Sequence, residues 1–135
     1  MSQVLIIEDE LATAEPVKQA LALNDISADI AKDGTEGLDM FDKGDYELVL
    51  LDLKLPGMQG EEVLTRLRKI DPFIDVIIYT NYSDFADIKK LANIGIEGYI
   101  NKGPSADLGE LVEAIKRRLA PLDNDTFVKL IEDIK

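Results

Sequence analysis

Five short apolar runs alternate along the chain with segments of helical spacing, and no other feature restricts the fold as strongly. Continuous apolar runs of this length are typical of strands buried on both faces. Between the runs, apolar residues recur three or four positions apart, as in amphipathic helices. The predicted strands are Val4 to Ile7, Ile26 to Ala31, Val49 to Leu51, Val76 to Tyr79 and Gly98 to Ile100.

This alternation predicts the architecture. A strand, a helix and a further strand normally form a right-handed crossover, which gives a parallel sheet with helices on both faces. We therefore predict a three-layer, doubly wound α/β fold with a five-stranded parallel sheet in the flavodoxin-like order 2-1-3-4-5. The 135 residues suit one domain. We assign residues 1–120 to it, and residues 121–135 to a short C-terminal helical appendage.

Composition excludes several classes of function. The chain has neither cysteine nor histidine, which excludes disulfides, zinc-thiolate sites, histidine metal ligands and a serine-histidine triad. The 15 basic and 27 acidic residues give a formal charge of −12, so we expect no direct binding to nucleic acid. We also expect no membrane span and a cytoplasmic location, because no apolar run is long enough to cross a bilayer and no signal-peptide pattern is present.

Acidic residues follow the first and third predicted strands. Glu8 and Asp9 come after the first strand and Asp52 after the third, and in this sheet order both strands end where ligands bind. An acidic strand end can also be only a solvated helix start, but burying an unpaired aspartate after an apolar strand is costly. A divalent cation would relieve the repulsion among three carboxylates. Oxygen ligands favour Mg²⁺, with Mn²⁺ as a substitute.

Thr80 and Lys102 end the fourth and fifth predicted strands at the same edge of the sheet. Taken singly, Thr80 is a common turn residue and Lys102 could be a surface lysine. Together with a cation, a hydroxyl donor and a fixed positive charge can neutralise a phosphoryl group in transfer. Asp52 would then be the nucleophile.

Four segments resemble the receiver domain of two-component response regulators over about residues 3 to 119. They are, in order, VLIIEDE, LVLLDLKLPGMQG, VIIYTN and GYINKG. The resemblance implies a phosphorylation-dependent signalling switch, apparently a stand-alone receiver. It also implies a protein that is not an enzyme with an external substrate.

The resemblance also assigns roles at the metal site. Asp52 matches the phosphoacceptor, Asp9 the direct metal ligand and Glu8 the ligand that acts through water. The backbone carbonyl of Lys54 completes the metal ligands that the protein supplies. Lys54 and Tyr82 occupy positions that modulate the lifetime of the phosphoryl group, and the bulk of Tyr82 favours slow hydrolysis.

Further positions match the output machinery of the family. Thr80 and Lys102 match the residues that hold the phosphoryl oxygens, and Thr80 and Tyr99 match the switch pair. The resemblance places the signalling surface on helix 4, strand 5 and helix 5, which would contact a downstream protein target. Because the chain has no histidine, the donor would be a separate histidine kinase or histidine phosphotransfer protein. The oligomeric state stays open.

Two departures from the family pattern keep other functions open. Gly103 stands where proline is common, and Asn81 where a small residue is common. A phosphorylation-independent docking module is therefore an alternative. A phosphatase that works through an aspartyl phosphate is less favoured, since Lys54 stands where that class has a second acid. A flavin carrier would need a Ser/Thr/Gly-rich loop after the first strand, where this chain has acids.

Overall fold

The computed structural model describes residues 2–81, 85–102 and 108–119, together with residue 132. Within them, five strands alternate with five helices. Predictions for Tyr82 and Gly103 lie outside the described residues, as does the predicted helix at 121–135 apart from residue 132. The elements are β1 (Val4–Ile7), α1 (Leu11–Ala22), β2 (Ala28–Ala31), α2 (Gly34–Lys43), β3 (Leu48–Leu51), α3 (Gly60–Ile70), β4 (Asp75–Thr80), α4 (Phe85–Ile94), β5 (Gly98–Asn101) and α5 (Leu108–Leu119).

The strands form one parallel sheet in the order β2-β1-β3-β4-β5, which confirms the predicted topology. Ile7, the last residue of β1, lies level with Ala31 of β2 on one side and with Leu51 of β3 on the other. Leu51 in turn lies level with Ile78 of β4. Because β1 and β3 end at the same level, the residues that follow them emerge side by side.

Alternate residues of each strand enter two separate cores. Leu5 and Ile7 of β1 pack with α2, α3 and α4, whereas Val4 and Ile6 pack with α1 and α5. All four residues are at most 2% exposed, as expected for a strand covered on both faces. Burying one such side chain contributes about 1.5–3 kcal/mol, so the two cores fix the sheet and its edge firmly.

The second strand begins later than the sequence predicts, at Ala28 instead of Ile26. Asp25 has a positive φ of 61°, and the Ile26 amide donates to the Leu21 carbonyl at 3.0 Å. The turn after α1 therefore uses the backbone donor that Ile26 would need in the sheet. Its side chain is nevertheless buried, which explains why the apolar pattern extends beyond the strand.

An ion pair joins α3 to the connection before β5, at the amino-terminal edge of the sheet. Arg68 Nη2 lies 3.0 Å from Glu97 Oε2 and 2.9 Å from the Gly95 carbonyl oxygen. Glu97 also accepts a hydrogen bond from the Val76 amide at 2.7 Å. The side chains of Arg68 and Glu97 are 13% and 23% exposed, so this ion pair is largely shielded from solvent. It holds the start of β4 and the start of β5 together.

Gly60 allows the loop after β3 to fold back against the strand. Its amide donates to the Leu53 carbonyl at 2.9 Å. A Cβ at this position would lie 2.6 Å from the Asp52 carbonyl oxygen and from Leu53 Cα, both of which are backbone atoms. A side chain larger than hydrogen would therefore push apart the segment that carries Asp52.

We expect Gly60→Ala to lower the free energy of unfolding by about 2 kcal/mol, because the backbone must shift to admit the methyl group. Urea denaturation measures this. Gly98→Ala is the matched control, since its Cβ would meet Ile77 at an ordinary 3.5 Å, and it should change stability by less than about 0.5 kcal/mol. Equal stability of the two variants would contradict this account of the loop.

Candidate functional site

Three carboxylates meet at the carboxyl-terminal edge of the sheet. Glu8 and Asp9 follow β1 and Asp52 follows β3, and one oxygen of each lies within 4.8 Å of the others. Glu8 and Asp52 are only 3% and 8% exposed, whereas Asp9 is exposed. The structure thus brings together the three acids that the sequence predicts to meet, with one of them facing solvent.

Backbone hydrogen bonds hold the two buried acids beyond the ends of their strands. The Glu8 amide donates to the Ala31 carbonyl at 3.0 Å, and the Asp52 amide donates to the Ile7 carbonyl at 3.1 Å. Sheet pairing therefore continues for one residue past β1 and β3. The Lys54 amide in turn donates to Asp52 Oδ1 at 3.3 Å, so the loop after β3 turns toward this carboxylate.

Lys102 reaches into the acidic cluster from the other side. Its ammonium group donates to the carboxylates of Glu8 and Asp52, the latter at 3.0 Å, and its side chain is only 9% exposed. β5 ends at Asn101, one residue beyond the predicted strand Gly98 to Ile100 and one residue before Lys102. The Lys102 amide still donates to the Thr80 carbonyl at 2.9 Å, so Lys102 keeps the position of a strand residue.

Thr80 and Tyr99 occupy different places relative to the acids. Thr80 is the last residue of β4, is 1% exposed and lies level with Asn101 of β5, so it belongs to the same edge of the sheet. Tyr99 lies level with Ile78, further back along β5. Its half-buried ring packs against the core beneath α2, α3 and α4. Asn81, the unusual neighbour of Thr80, is exposed.

Burial and the contact between Glu8 and Lys102 have opposing effects on the pKa of each of these two residues. Burial raises the pKa of Glu8 to about 7, and the negative charge of Asp52 adds to the shift, although the hydrogen bond from Lys102 opposes it. Burial by itself would lower the pKa of Lys102, but its contacts with Glu8 and Asp52 raise it instead. At neutral pH, Lys102 is therefore charged while Glu8 is partly protonated.

The residues present suit a small divalent cation. The cluster offers three oxygen ligands and carries more negative charge than the single ammonium of Lys102 can neutralise. Hard cations such as Mg²⁺ prefer carboxylate and carbonyl oxygens. A cation at this position would also relieve the burial cost of ionised Glu8 and Asp52.

Tyr79 is a component of the site that sequence reasoning missed. Its ring centroid lies 5.3 Å from the Lys102 ammonium nitrogen, a favourable cation–π distance. It also lines a small cavity with Glu8 and Asp52. The sequence could have indicated this role through the position of Tyr79 in β4. Tyr79 directly precedes Thr80, and strand alternation puts its side chain on the face opposite Ile78.

Comparison with known proteins agrees with this geometry. A family model described as the response regulator receiver domain matches residues 4–116. This chain belongs to that family. The match confirms the predicted family, and membership implies phosphorylation-dependent signalling, which is the coarse function predicted from the sequence. The assignment of a role to each residue stays a prediction.

Solved structures of the family have the same fold. A CheY-like receiver domain protein from Methanospirillum hungatei JF-1 is 31% identical, with a TM-score of 0.82 over 88% of this chain and 94% of its own. The response regulator TrrA from Thermotoga maritima, solved in complex with Mg²⁺-BeF, is 32% identical with a TM-score of 0.77. That alignment covers 88% of this chain and 100% of the other.

Curated relatives are longer than this chain. The uncharacterized transcriptional regulatory protein YkoG of Bacillus subtilis is 40% identical over 116 residues, which are 86% of this chain and 50% of that protein. This chain spans about half the length of the curated relatives it matches, and the stand-alone receiver stays a prediction. No helix among the described residues has the length and hydropathy to cross a membrane.

We expect Glu8 to make the metal-free protein less stable as the pH rises. Between the ordinary pKa of 4.5 and the folded value of about 7, the folded protein holds a proton that the unfolded chain has released. The free energy of unfolding therefore falls across this window and levels off above it. Relative to Glu8→Gln, wild type should lose on the order of 3 kcal/mol.

Urea denaturation in a chelating buffer, at several pH values across that window, measures the difference between wild type and Glu8→Gln. Glu62→Gln is the control, because Glu62 pairs with Arg66 on the exposed side of α3 and its side chain is 52% exposed. The account of Glu8 fails if wild type and Glu8→Gln keep the same stability difference at every pH.

Proposed function

We propose that this protein is a signalling switch that accepts a phosphoryl group on Asp52, with Mg²⁺ held by Glu8, Asp9, Asp52 and the backbone carbonyl of Lys54. The observation that carries the proposal is the convergence of three carboxylates and the Lys102 ammonium at one edge of the sheet. Positive charge beside a carboxylate nucleophile is what phosphoryl transfer requires of a protein.

Asp52 is the proposed acceptor because its position directly after β3 matches the phosphoacceptor of the family. Its carboxylate is held from both sides, as that of Glu8 also is. One Asp52 oxygen accepts the Lys54 amide at 3.3 Å and the other accepts Lys102 at 3.0 Å. An Asp52 oxygen forms the new bond to phosphorus while the bond from phosphorus to the donor's histidine nitrogen breaks. The electron pair of the broken bond stays on that nitrogen. The product is an acyl phosphate on Asp52.

The other residues have separate tasks. Asp9 is the direct metal ligand and Glu8 acts through water. When bound there, Mg²⁺ would supply positive charge to offset the charge of the phosphoryl oxygens. Lys102 neutralises a further oxygen with its ammonium group, and Thr80 donates its hydroxyl from the end of β4. Mn²⁺, a similar hard cation, substitutes for Mg²⁺.

The phosphoryl group comes from another polypeptide, a histidine kinase or a histidine phosphotransfer protein, because this chain contains no histidine. The exposed side of the site, at Asp9, leaves room for that donor. Turnover is limited to the protein's own phosphorylation and dephosphorylation, so we do not class it as an enzyme. Lys54 and Tyr82 set how long the acyl phosphate lasts.

Output passes through the surface of α4, β5 and α5 to a downstream protein. Thr80 and Tyr99 form the switch, since the Thr80 carbonyl binds the Lys102 amide at the end of β5 and Tyr99 lies within that strand. A cleft beside Tyr99 is lined by Glu110 and Arg117 of α5. Phosphorylation shifts the population between two arrangements of this surface through its different contacts in each.

Acetyl phosphate and Mg²⁺ should phosphorylate the wild type once, and intact-mass spectrometry detects the product. Asp52→Asn should lose the labelling, because the amide is a poor nucleophile. Asp39→Asn, which alters an exposed aspartate of α2 with a 60% exposed side chain, should be labelled like wild type. EDTA should stop the labelling.

Two results would reject this function. Labelling that persists in Asp52→Asn would move the acceptor elsewhere. Absence of labelling in wild type, with intact Mg²⁺ binding and binding to a partner, would favour the phosphorylation-independent docking module.

Asp9→Asn should weaken Mg²⁺ binding at least about tenfold, because it removes one full ligand charge from a site with few protein ligands. Isothermal titration calorimetry measures the dissociation constant. Glu10→Gln is the matched control: it removes the same charge from the next residue, which lies outside the cluster. Equal weakening by both variants would show that general surface charge, and not ligation, attracts the metal.

A further inference from the structure

The Tyr79 side chain lies beside the charged cluster without belonging to the metal ligands or to the phosphoryl contacts of the proposed function. Its ring centroid is 5.3 Å from the Lys102 ammonium nitrogen, which lies over the ring. The same ammonium group donates to Glu8 and to Asp52. One cation therefore contacts two carboxylates and the face of an aromatic ring.

The sheet brings Tyr79 to this position and holds it there. Tyr79 lies level with Ile100 of β5, and both side chains pack against the core beneath α1 and α5. Lys102 follows Ile100 by two residues, so strand alternation turns its side chain to the same face, as a diagonal neighbour of Tyr79. Because the half-buried ring belongs to a paired strand, it is a fixed surface beside a flexible side chain.

A lysine side chain gains from such a surface. Its long stem is flexible, and its compact ammonium group makes hydrogen bonds in many directions, so two carboxylates alone leave it several arrangements. In phosphoryl transfer, positive charge is most effective when it is already in place as charge develops on the phosphoryl oxygens. The electron-rich face of an aromatic ring attracts the ammonium and thereby restricts it to fewer positions.

We propose that Tyr79 is a positioning residue for phosphoryl transfer: the face of its ring holds the Lys102 ammonium beside Asp52, where the ammonium meets the incoming phosphoryl oxygens. This inference rests on the proposed function, because it assumes that Asp52 accepts the phosphoryl group. Tyr79 acts through Lys102 and forms no bond to the phosphoryl group. An aliphatic residue would fill the same place in the core, as Ile100 does on the neighbouring strand, but it would give the ammonium no attractive surface.

The main test compares Tyr79→Leu with Tyr79→Phe. Each protein is incubated with acetyl phosphate and Mg²⁺, and intact-mass spectrometry follows the rate of phosphorylation. Leucine is apolar but has no ring, so Tyr79→Leu should be phosphorylated about tenfold more slowly than wild type. Phenylalanine keeps the ring face and lacks only the hydroxyl, so the rate of Tyr79→Phe should stay within about twofold of wild type. Equal slowing of both variants would overturn the role of the ring.

A second comparison asks whether Tyr79 acts through Lys102. In a Lys102→Met background no ammonium remains for the ring to hold, so Tyr79→Leu should change the remaining rate, followed over a longer incubation, by less than about twofold. A general loss of packing would slow the Lys102→Met protein as much as it slows the wild type. A loss of about tenfold in both backgrounds would therefore overturn the positioning role.

A third measurement keeps the shape of the side chain nearly constant, in case Tyr79→Leu does not fold. Starting from Tyr79→Phe, the phenylalanine is replaced by its mono-, di- and trifluorinated forms, in which each fluorine withdraws electrons from the ring face and weakens the cation–π contact. The phosphorylation rate should fall with each added fluorine. The same series at Phe73, which is 89% exposed, is the matched control and should leave the rate unchanged. A constant rate across the series at position 79, or an equal fall in the series at Phe73, would overturn the proposal.

The outcomes separate this inference from the proposed function. If wild type is phosphorylated on Asp52 and Tyr79→Leu is phosphorylated equally fast, the positioning role is wrong and the proposed function stands. If wild type takes no label from acetyl phosphate, the proposed function fails together with this inference.

Discussion

The electrostatic repulsion between Glu8 and Asp52 governs the functional edge of this protein. The two carboxylates lie together because β1 and β3 end at the same level, and they are buried because both strands are covered on both faces. The backbone hydrogen bonds that continue the sheet hold the main chain of both acids in place, so their carboxylates extend from neighbouring fixed points. The repulsion is relieved by the positive charge of Lys102 and by the partial protonation of Glu8.

The rest of the fold makes this arrangement tolerable. Buried carboxylates lower stability, and the raised pKa of Glu8 is a direct expression of that cost. Two cores of buried, mostly aliphatic side chains offset it, one on each face of the sheet. The destabilising carboxylates lie at the strand ends, whereas the stabilising apolar contacts lie in the sheet interior. Charges at the edge can therefore change while the core stays folded.

The sequence was sufficient for the fold because the pattern is repeated five times and each repeat constrains the next. It was also sufficient for the meeting of Glu8, Asp9 and Asp52, since parallel strands in this order bring their carboxyl ends together. It did not predict the start of β2 correctly, because the Ile26 amide donates to the Leu21 carbonyl in a local turn and is not available to the sheet. Nor could it show the pair of Arg68 and Glu97, which lie 29 residues apart, because no local periodicity encodes such a long-range contact.

The two ends of the β4–β5 pair differ in a way that favours signalling from the acidic edge. At the amino-terminal edge, Arg68 and Glu97 bind the backbone of both the strand and the connection before β5, and so hold the two strands together. At the other edge, the Lys102 amide binds the Thr80 carbonyl, and the side chain of Lys102 belongs to the charged cluster. Under the proposed function, a change of charge at Asp52 would act on the last residues of β4 and β5, while the contacts of Arg68 and Glu97 would hold their first residues. Because Tyr99 lies between these two ends, it is well placed to respond to a small displacement at one of them.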